Sequence, residues 1–312
     1  MSRPLAFIHH PDAAKHDTGP GHPERPERLA HLVDHIRGTD LWGKMEHPNP
    51  KPVQEDHLLR VHPRQYVEWV EHSIASGVGL LDSGDTRVSS GSSHAARLAA
   101  GGACAAVDAA CGTSRSHAFS ASRPPGHHAE TSKAMGFCLF NNIAVAARYA
   151  QTVYGVEKVS IVDWDVHHGN GTQEIFWTDP SVQYISTHQF PLWPGSGSPT
   201  ERGGEAGEGY TLNCPMPPGS GEDEYAVVFR DAVLPALMSF GPDLVMISAG
   251  FDAHHDDPLA NILLRDASFA LLTRMITEVR TDAGIVSILE GGYDLDALAK
   301  STEAHLRVLL DS

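Results

Sequence analysis

Apolar positions along the chain follow two periods. Short runs rich in apolar or β-branched residues lie at Leu5–Ile8, 117–121, 158–162, 182–187, 243–248 and 284–289, and read as strands. Between them the spacing becomes helical. In 26–36, Leu29, Leu32, Val33 and Ile36 stand at i, i+3, i+4 and i+7. Further helical patterns cover about 62–74, 92–110, 142–154, 222–239, 267–280 and 296–310, that over 92–110 with serines available at its start. Strand–helix alternation of this kind predicts an α/β fold, a mostly parallel sheet covered on both faces. The stretch 191–209 is rich in Gly and Pro and long for a plain connector, as functional loops often are. No Pro/Ser linker, internal repeat or charged tail divides the chain, so residues 1–312 read as one domain.

Composition adds limits rather than an activity. The chain has 312 residues, a formal charge of −16, 41% hydrophobic and 20% charged residues, as in soluble globular proteins. The acidic balance argues against nucleic-acid binding and suits cationic partners. No apolar run approaches the ~18 residues of a membrane span, and the N-terminal apolar stretch is too short for a signal peptide, so a cytoplasmic protein is expected. Cys104, Cys111, Cys138 and Cys214 form no CxxC pair, and a disulfide framework is not expected. The 20 His suggest metal or proton chemistry without locating it.

The location comes from the strand ends. Arg123-Pro-Pro-Gly-His127-His128, the stretch from Asp163 to Gly171, Ser248-Ala-Gly-Phe-Asp252 and Glu290-Gly-Gly-Tyr293 each begin where a predicted strand finishes. In open parallel sheets, ligands bind outside the carboxyl ends of strands. Asp165 and His167, two residues apart on extended chain, point to one side and can share a metal; a plain Asp–His hydrogen bond reads the same way. Asp252 from another strand end supplies a third donor, and Asp/His/Asp with an open position is a catalytic zinc arrangement that Fe2+ also accepts. Asp163, on the same face, suits a carboxylate orienting an imidazole, or a cap. His127 and His128 follow a Pro/Gly loop and are placed for proton transfer. His9-His10 and His254-His255 carry no such context. Tyr293, after two glycines, is either a core aromatic or a phenol donating to a developing oxyanion.

Together these motifs resemble the histone deacetylase superfamily, which includes acetylpolyamine amidohydrolases. The resemblance runs from the segment Gly21 to Leu29 through RPPGHHAE, MGFCLFNN, VDWDVHHGNGTQ, YISTHQF, SAGFDAHHDDPL and LEGGYD. It implies an arginase-like three-layer α/β/α sandwich. It implies Zn2+ on Asp165, His167 and Asp252, tandem histidines His127 and His128 with Asp163 behind His127, and Tyr293 as catalytic tyrosine. Gly136 and Phe137 would line an acyl-lysine tunnel opposite Trp193, and Arg28 would stand near an acetate cavity. Two structural K+ sites are also implied, one on Asp163, Asp165, His167, Ser186 and Thr187, the other on Phe176, Asp179, Val182 and Tyr210.

Departures narrow the class. Asn170 stands where class I members carry an Asp behind the second histidine, which is the class II-like pattern. Leu259 occupies the position of the gatekeeper Glu of a polyamine-specialised branch, and the 74–88 segment is short. Gly169 and His254 stand where a dinuclear arginase-type site would need carboxylates. The resemblance therefore implies a class II-like amidohydrolase that removes acetyl or another short acyl group from N-ε-acyl-lysine in proteins or peptides. Acetylpolyamines or other small acylamines are the alternative substrates.

Overall fold

The structure, a computed structural model, describes residues 3–82, 84–279 and 281–312. Ser83, inside the short 74–88 segment, and Arg280, the end of the helix expected over 267–280, lie outside the described residues. The strands are β1 (Leu5–Ile8), β2 (His117–Ser120), β3 (Val159–Asp163), β4 (Val182–Gln189), β5 (Thr211–Met216), β6 (Leu244–Ala249) and β7 (Val286–Leu289). They form one sheet in the order β1-β2-β7-β6-β3-β4-β5, and every pairing is parallel.

Helices cover both faces. They are α1 (Glu27–Arg37), α2 (Glu55–Leu58), α3 (Arg64–Ala75), α4 (Ser92–Cys111), α5 (Asn142–Tyr154), α6 (Asn170–Phe176), α7 (Glu222–Val228), α8 (Leu234–Phe240), α9 (Asp266–Thr277) and α10 (Leu295–Asp311). The two-residue pleat divides each strand between two cores. Leu5, Phe7, Val162, Val245 and Ile247 pack with Leu29, Tyr225, Phe269 and Leu298 on the side of α1 and α7 to α10. Ala6, Ile8, Ile161, Leu244 and Met246 pack with Tyr66, Ala96, Ile143 and Phe176 on the side of α3 to α6. Burial on both faces is why these strands read as continuous apolar runs.

The predicted strands are all present with boundaries shifted by a residue or two, and β5 is an addition. The helix expected over 222–239 is α7 and α8 joined through a π-helical turn, Phe229–Val233. Pro235 follows at the start of α8; its ring lacks an N–H and crowds the preceding turn, which a wider turn accommodates.

The sheet order sets the site. From β3 the chain moves outward to β4 and β5, then returns to β6 on the other side of β3 and continues to β7. The carboxyl ends of β3 and β6 therefore flank a switch point, where side chains from both meet beneath diverging loops. Asp163, the last residue of β3, lies level with Ser248 of β6 and Ser186 of β4.

Candidate active site

Asp165, His167 and Asp252 converge at that switch point, their donor atoms all within 4.8 Å of one another. His167 Nδ1 lies 3.0 Å from Asp252 Oδ2 and 3.3 Å from Asp165 Oδ1. Main-chain amides hold the carboxylates: Val166 N–H donates to Asp252 Oδ1 (2.9 Å), His167 N–H to Asp165 Oδ1 (2.9 Å) and Gly291 N–H to Asp165 Oδ2 (2.8 Å). A Cβ on Gly291 would stand 2.2 Å from Asp252 Oδ2, so only glycine lets this strand end approach the carboxylates. Burial works against a charge on His167, yet the two carboxylates raise its pKa to about 10, a measure of how strongly the pocket draws positive charge. Three oxygen and nitrogen donors in a buried, anionic cradle fit a divalent cation such as Zn2+.

His127 and His128 lie beside this triad, their rings tilted by 43°, and differ in partners. His127 Nδ1 lies 3.0 Å from Asp163 Oδ2, which also accepts the Tyr184 hydroxyl at 3.0 Å. Burial opposes its protonation, but Asp165 and Asp163 outweigh burial and hold its pKa well above the ordinary value. His128 Nδ1 lies 2.9 Å from Asn170 Oδ1, and the Asn170 amide nitrogen donates to Glu130 Oε1 (2.8 Å). That second bond fixes the amide orientation, so His128 Nδ1 carries the hydrogen and Nε2 keeps its lone pair. Burial and the neighbouring His127 and His167 charges push His128 well below the ordinary imidazole value.

Tyr293 closes the other side. Its ring lies edge-on to Phe137 at 5.9 Å, and the Arg28 guanidinium sits 4.9 Å from its centre. Arg28 is fully buried and donates to the carbonyls of Gly292 and Glu290, both at 2.6 Å. A cavity of about 430 Å³ runs past Gly136, Phe137, Trp193 and Leu259 to His128, His167 and Tyr293. Gly136 adopts φ +58°, and a Cβ there would lie 2.5 Å from the His128 ring and 2.6 Å from the Trp193 ring. Trp193 stands edge-on to His128 at 4.7 Å and is 45% exposed, so the residue both borders His128 and faces the mouth.

Of the residues expected to hold K+, Ser186 and Thr187 follow the β3–β4 register beside Asp163. Ser186 Oγ is 2.9 Å from His188 Nδ1, while the buried Thr187 Oγ1 has no hydrogen-bond partner among the described residues. In the other group, the carbonyls of Phe176 and Tyr210 each accept one amide, and Asp179 is bonded to Ser181 and Arg148.

Several residues of this region carry roles that the sequence patterns do not mark. Glu290 accepts the amides of Gly126 and His127 (2.6 and 3.1 Å), fixing the tandem-histidine loop; burial pushes its carboxyl up to about 7. Glu24 is fully buried and takes two 2.6 Å bonds from Arg123 and one of 3.1 Å from Arg28. Burial alone would raise its pKa, but Arg123 and the other cations bring it well below the carboxylate range. Asp85, exposed, borders the tunnel mouth. The motif around Glu24 was the available signal, since HPERP pairs charged residues with an apolar helix start. His254, His255 and Asp256 form a second group of nearby donors, but His254 Nδ1 already accepts the Asp256 amide and Nε2 faces Asp266.

A histone deacetylase domain profile matches residues 22–309. The chain belongs to the histone deacetylase family. Among relatives, a probable deacetylase of Archaeoglobus fulgidus is 40% identical over 93% of this chain and 81% of its own length. A histone deacetylase-like amidohydrolase of Pseudomonas aeruginosa is 42% identical over 88% of this chain and 73% of its own length. A solved structure, the HD domain of HDA15, superposes with TM-score 0.94 at 38% identity, covering 99% of this chain and 89% of that one. The fold is therefore the histone deacetylase α/β fold, and the family makes this chain an amide-bond hydrolase. Among the described residues, no helix is long and apolar enough to cross a membrane.

Proposed function

We propose that this histone deacetylase family member is a zinc-dependent cytoplasmic enzyme that hydrolyses N-ε-acetyl-lysine in peptides or proteins to lysine and acetate. The observation that carries the reading is the meeting, at one end of the tunnel, of the donor triad, a neutral imidazole with an open nitrogen and a phenol. Asp165, His167 and Asp252 would hold a zinc ion, which would supply Lewis acidity for the acyl oxygen and lower the pKa of a water; Fe2+ would suit the same donors.

The protein's own groups do the rest. The tunnel admits an extended alkyl chain between Phe137 and Trp193 and excludes bulk water from the carbonyl. His128 Nε2 takes the proton from the attacking water and returns it to the leaving amine. His127, held cationic by Asp163, stays as an electrostatic partner. The Tyr293 hydroxyl donates to the oxygen that gains charge as the carbonyl becomes tetrahedral. Asn170 keeps His128 in the tautomer this requires. Arg28 lies behind Tyr293, where a cation suits departing acetate. K+ at the Thr187 and Asp179 groups would be structural; the unpartnered Thr187 oxygen supports the first.

Asp85 favours a second reading. A carboxylate at the tunnel mouth suits the distal ammonium of an acetylpolyamine, whereas Leu259 offers no such charge. Comparing kcat/KM for acetyl-lysine peptides and acetylputrescine on protein of defined metal content, with a hydroxamate control, decides between them. Higher kcat/KM on the peptides supports the first reading; preference for acetylputrescine replaces it, and no release of acetate from either overturns both.

A further inference from the structure

Tyr293 follows two glycines, and Gly292 adopts φ +121°, so local chain stiffness does little to hold the tyrosine in place. Its main-chain N–H is instead captured by a buried side chain. Asp257 Oδ2 accepts that amide at 2.7 Å, and Asp257 Oδ1 accepts the Leu259 amide at 3.0 Å. Asp257 is 6% exposed and lies on the loop after β6, the same loop that delivers Asp252. The carboxylate thus ties the strand end bearing Tyr293 to the wall residue Leu259. On the opposite side Arg28 holds the Gly292 carbonyl.

We propose that Asp257 is the positioning residue for Tyr293, fixing the phenol relative to the triad and the tunnel wall through these two amide bonds. Two amides drawn to one buried carboxyl fix Tyr293 and Leu259 relative to each other. Loss of one acceptor frees the Gly291–Gly292–Tyr293 backbone to move, and an error near 1 Å in a catalytic group costs about 10²-fold in rate. Asp257 neither lines the cavity nor joins the triad, so it acts through the backbone it holds, at Tyr293 and at Leu259. The inference rests on the deacetylase reading and on Tyr293 as oxyanion donor.

A double-mutant cycle tests it on zinc-loaded full-length protein. Asp257→Ala is expected to lower kcat about 10- to 100-fold with KM within about threefold and one metal retained. In a Tyr293→Phe background the same change is expected to cost less than about threefold, because the group it positions is gone. Hydrogen exchange at the Tyr293 amide is expected to accelerate in the variant. If Asp257→Ala does not fold, Asp257→Asn, which keeps the shape and surrenders one acceptor, is read the same way. Equal losses in both backgrounds, or unchanged kcat, overturn the proposal. A wild-type enzyme inactive on every acyl substrate overturns the parent reading instead, and the exchange measurement then still reports on the clamp.

Discussion

His127 and His128 are sequence neighbours with ring centres 3.9 Å apart, yet one donates to a carboxylate and the other to a carboxamide. Asp165 and Asp163 outweigh burial at His127, while burial and the charges of His127 and His167 keep His128 neutral, a contrast that sets opposite charge states on adjacent imidazoles. It gives one cation and one base in a single strand-end loop.

Replacing Asn170 by Asp would give His128 an anionic partner as well. Its pKa then rises, so the proton leaves Nε2 only at higher pH. The acidic limb of the kcat/KM profile is expected to move upward by about one pH unit or more in Asn170→Asp. A limb at the wild-type position would show that His128 does not set it.

Gly136 packs against both the His128 and the Trp193 rings. Gly136→Ala places a methyl 2.5 Å from one ring and 2.6 Å from the other, at a positive φ that alanine disfavours. Both rings must shift, which narrows the tunnel where the acyl chain passes. We expect kcat/KM for acetyl-lysine peptides to fall about tenfold or more, with metal content unchanged. Full activity in the alanine variant would place substrate elsewhere.

Glu24 neutralises two buried guanidinium groups. Glu24→Gln leaves Arg123 and Arg28 without their anion, and breaking such a pair costs about 3–5 kcal/mol. The native carboxyl titrates below its ordinary range, so its contribution is complete above about pH 4.5 and disappears as pH falls through the folded value. Denaturant melts of both proteins from pH 7 to 3 should show a large gap that closes only at the acid end. A constant gap would disprove the linkage.

Acid stability has a second source of opposite charge. Burial lowers His62, His117 and His188 to about 4 and His168 and His305 to about 3. Each is neutral when folded at a pH where the unfolded chain, with an ordinary value near 6.5, binds a proton. Stability from this group is complete above about pH 6.5 and falls as pH drops towards 4. Melting temperature should therefore decline between pH 6.5 and 4.5, a fall that Glu290, raised to about 7 and so protonated first in the folded state, offsets only in part. A level curve across that interval would count against neutral buried histidines.

The sequence marks what depends on local chain. Strands β1 to β4, β6 and β7 are apolar on both faces and stand out from their surroundings. β5 does not: it is an edge strand with partly exposed positions, contains Pro215 and follows a Gly-rich loop. The triad and tandem histidines are legible because each motif begins at a strand end. The parts played by Glu24, Glu290 and Asp257 are not. Glu24 meets Arg123 across 99 residues and Glu290 meets Gly126 across 164, contacts created only when the sheet orders its strands. Of the twenty histidines, His127, His128 and His167 at strand ends gather at the candidate site, while His62 and His305 bond to neighbouring main chain or hydroxyls in the core.

The interleaved strand order also makes the enzyme its own folding sensor. Asp165 and His167 follow β3, but their third partner, Asp252, arrives only after β4, β5 and β6 are laid down, and Tyr293 only after β7. A chain stalled on the way, or clipped before its last strand, owns some donors but no pocket. Turnover therefore counts completed molecules.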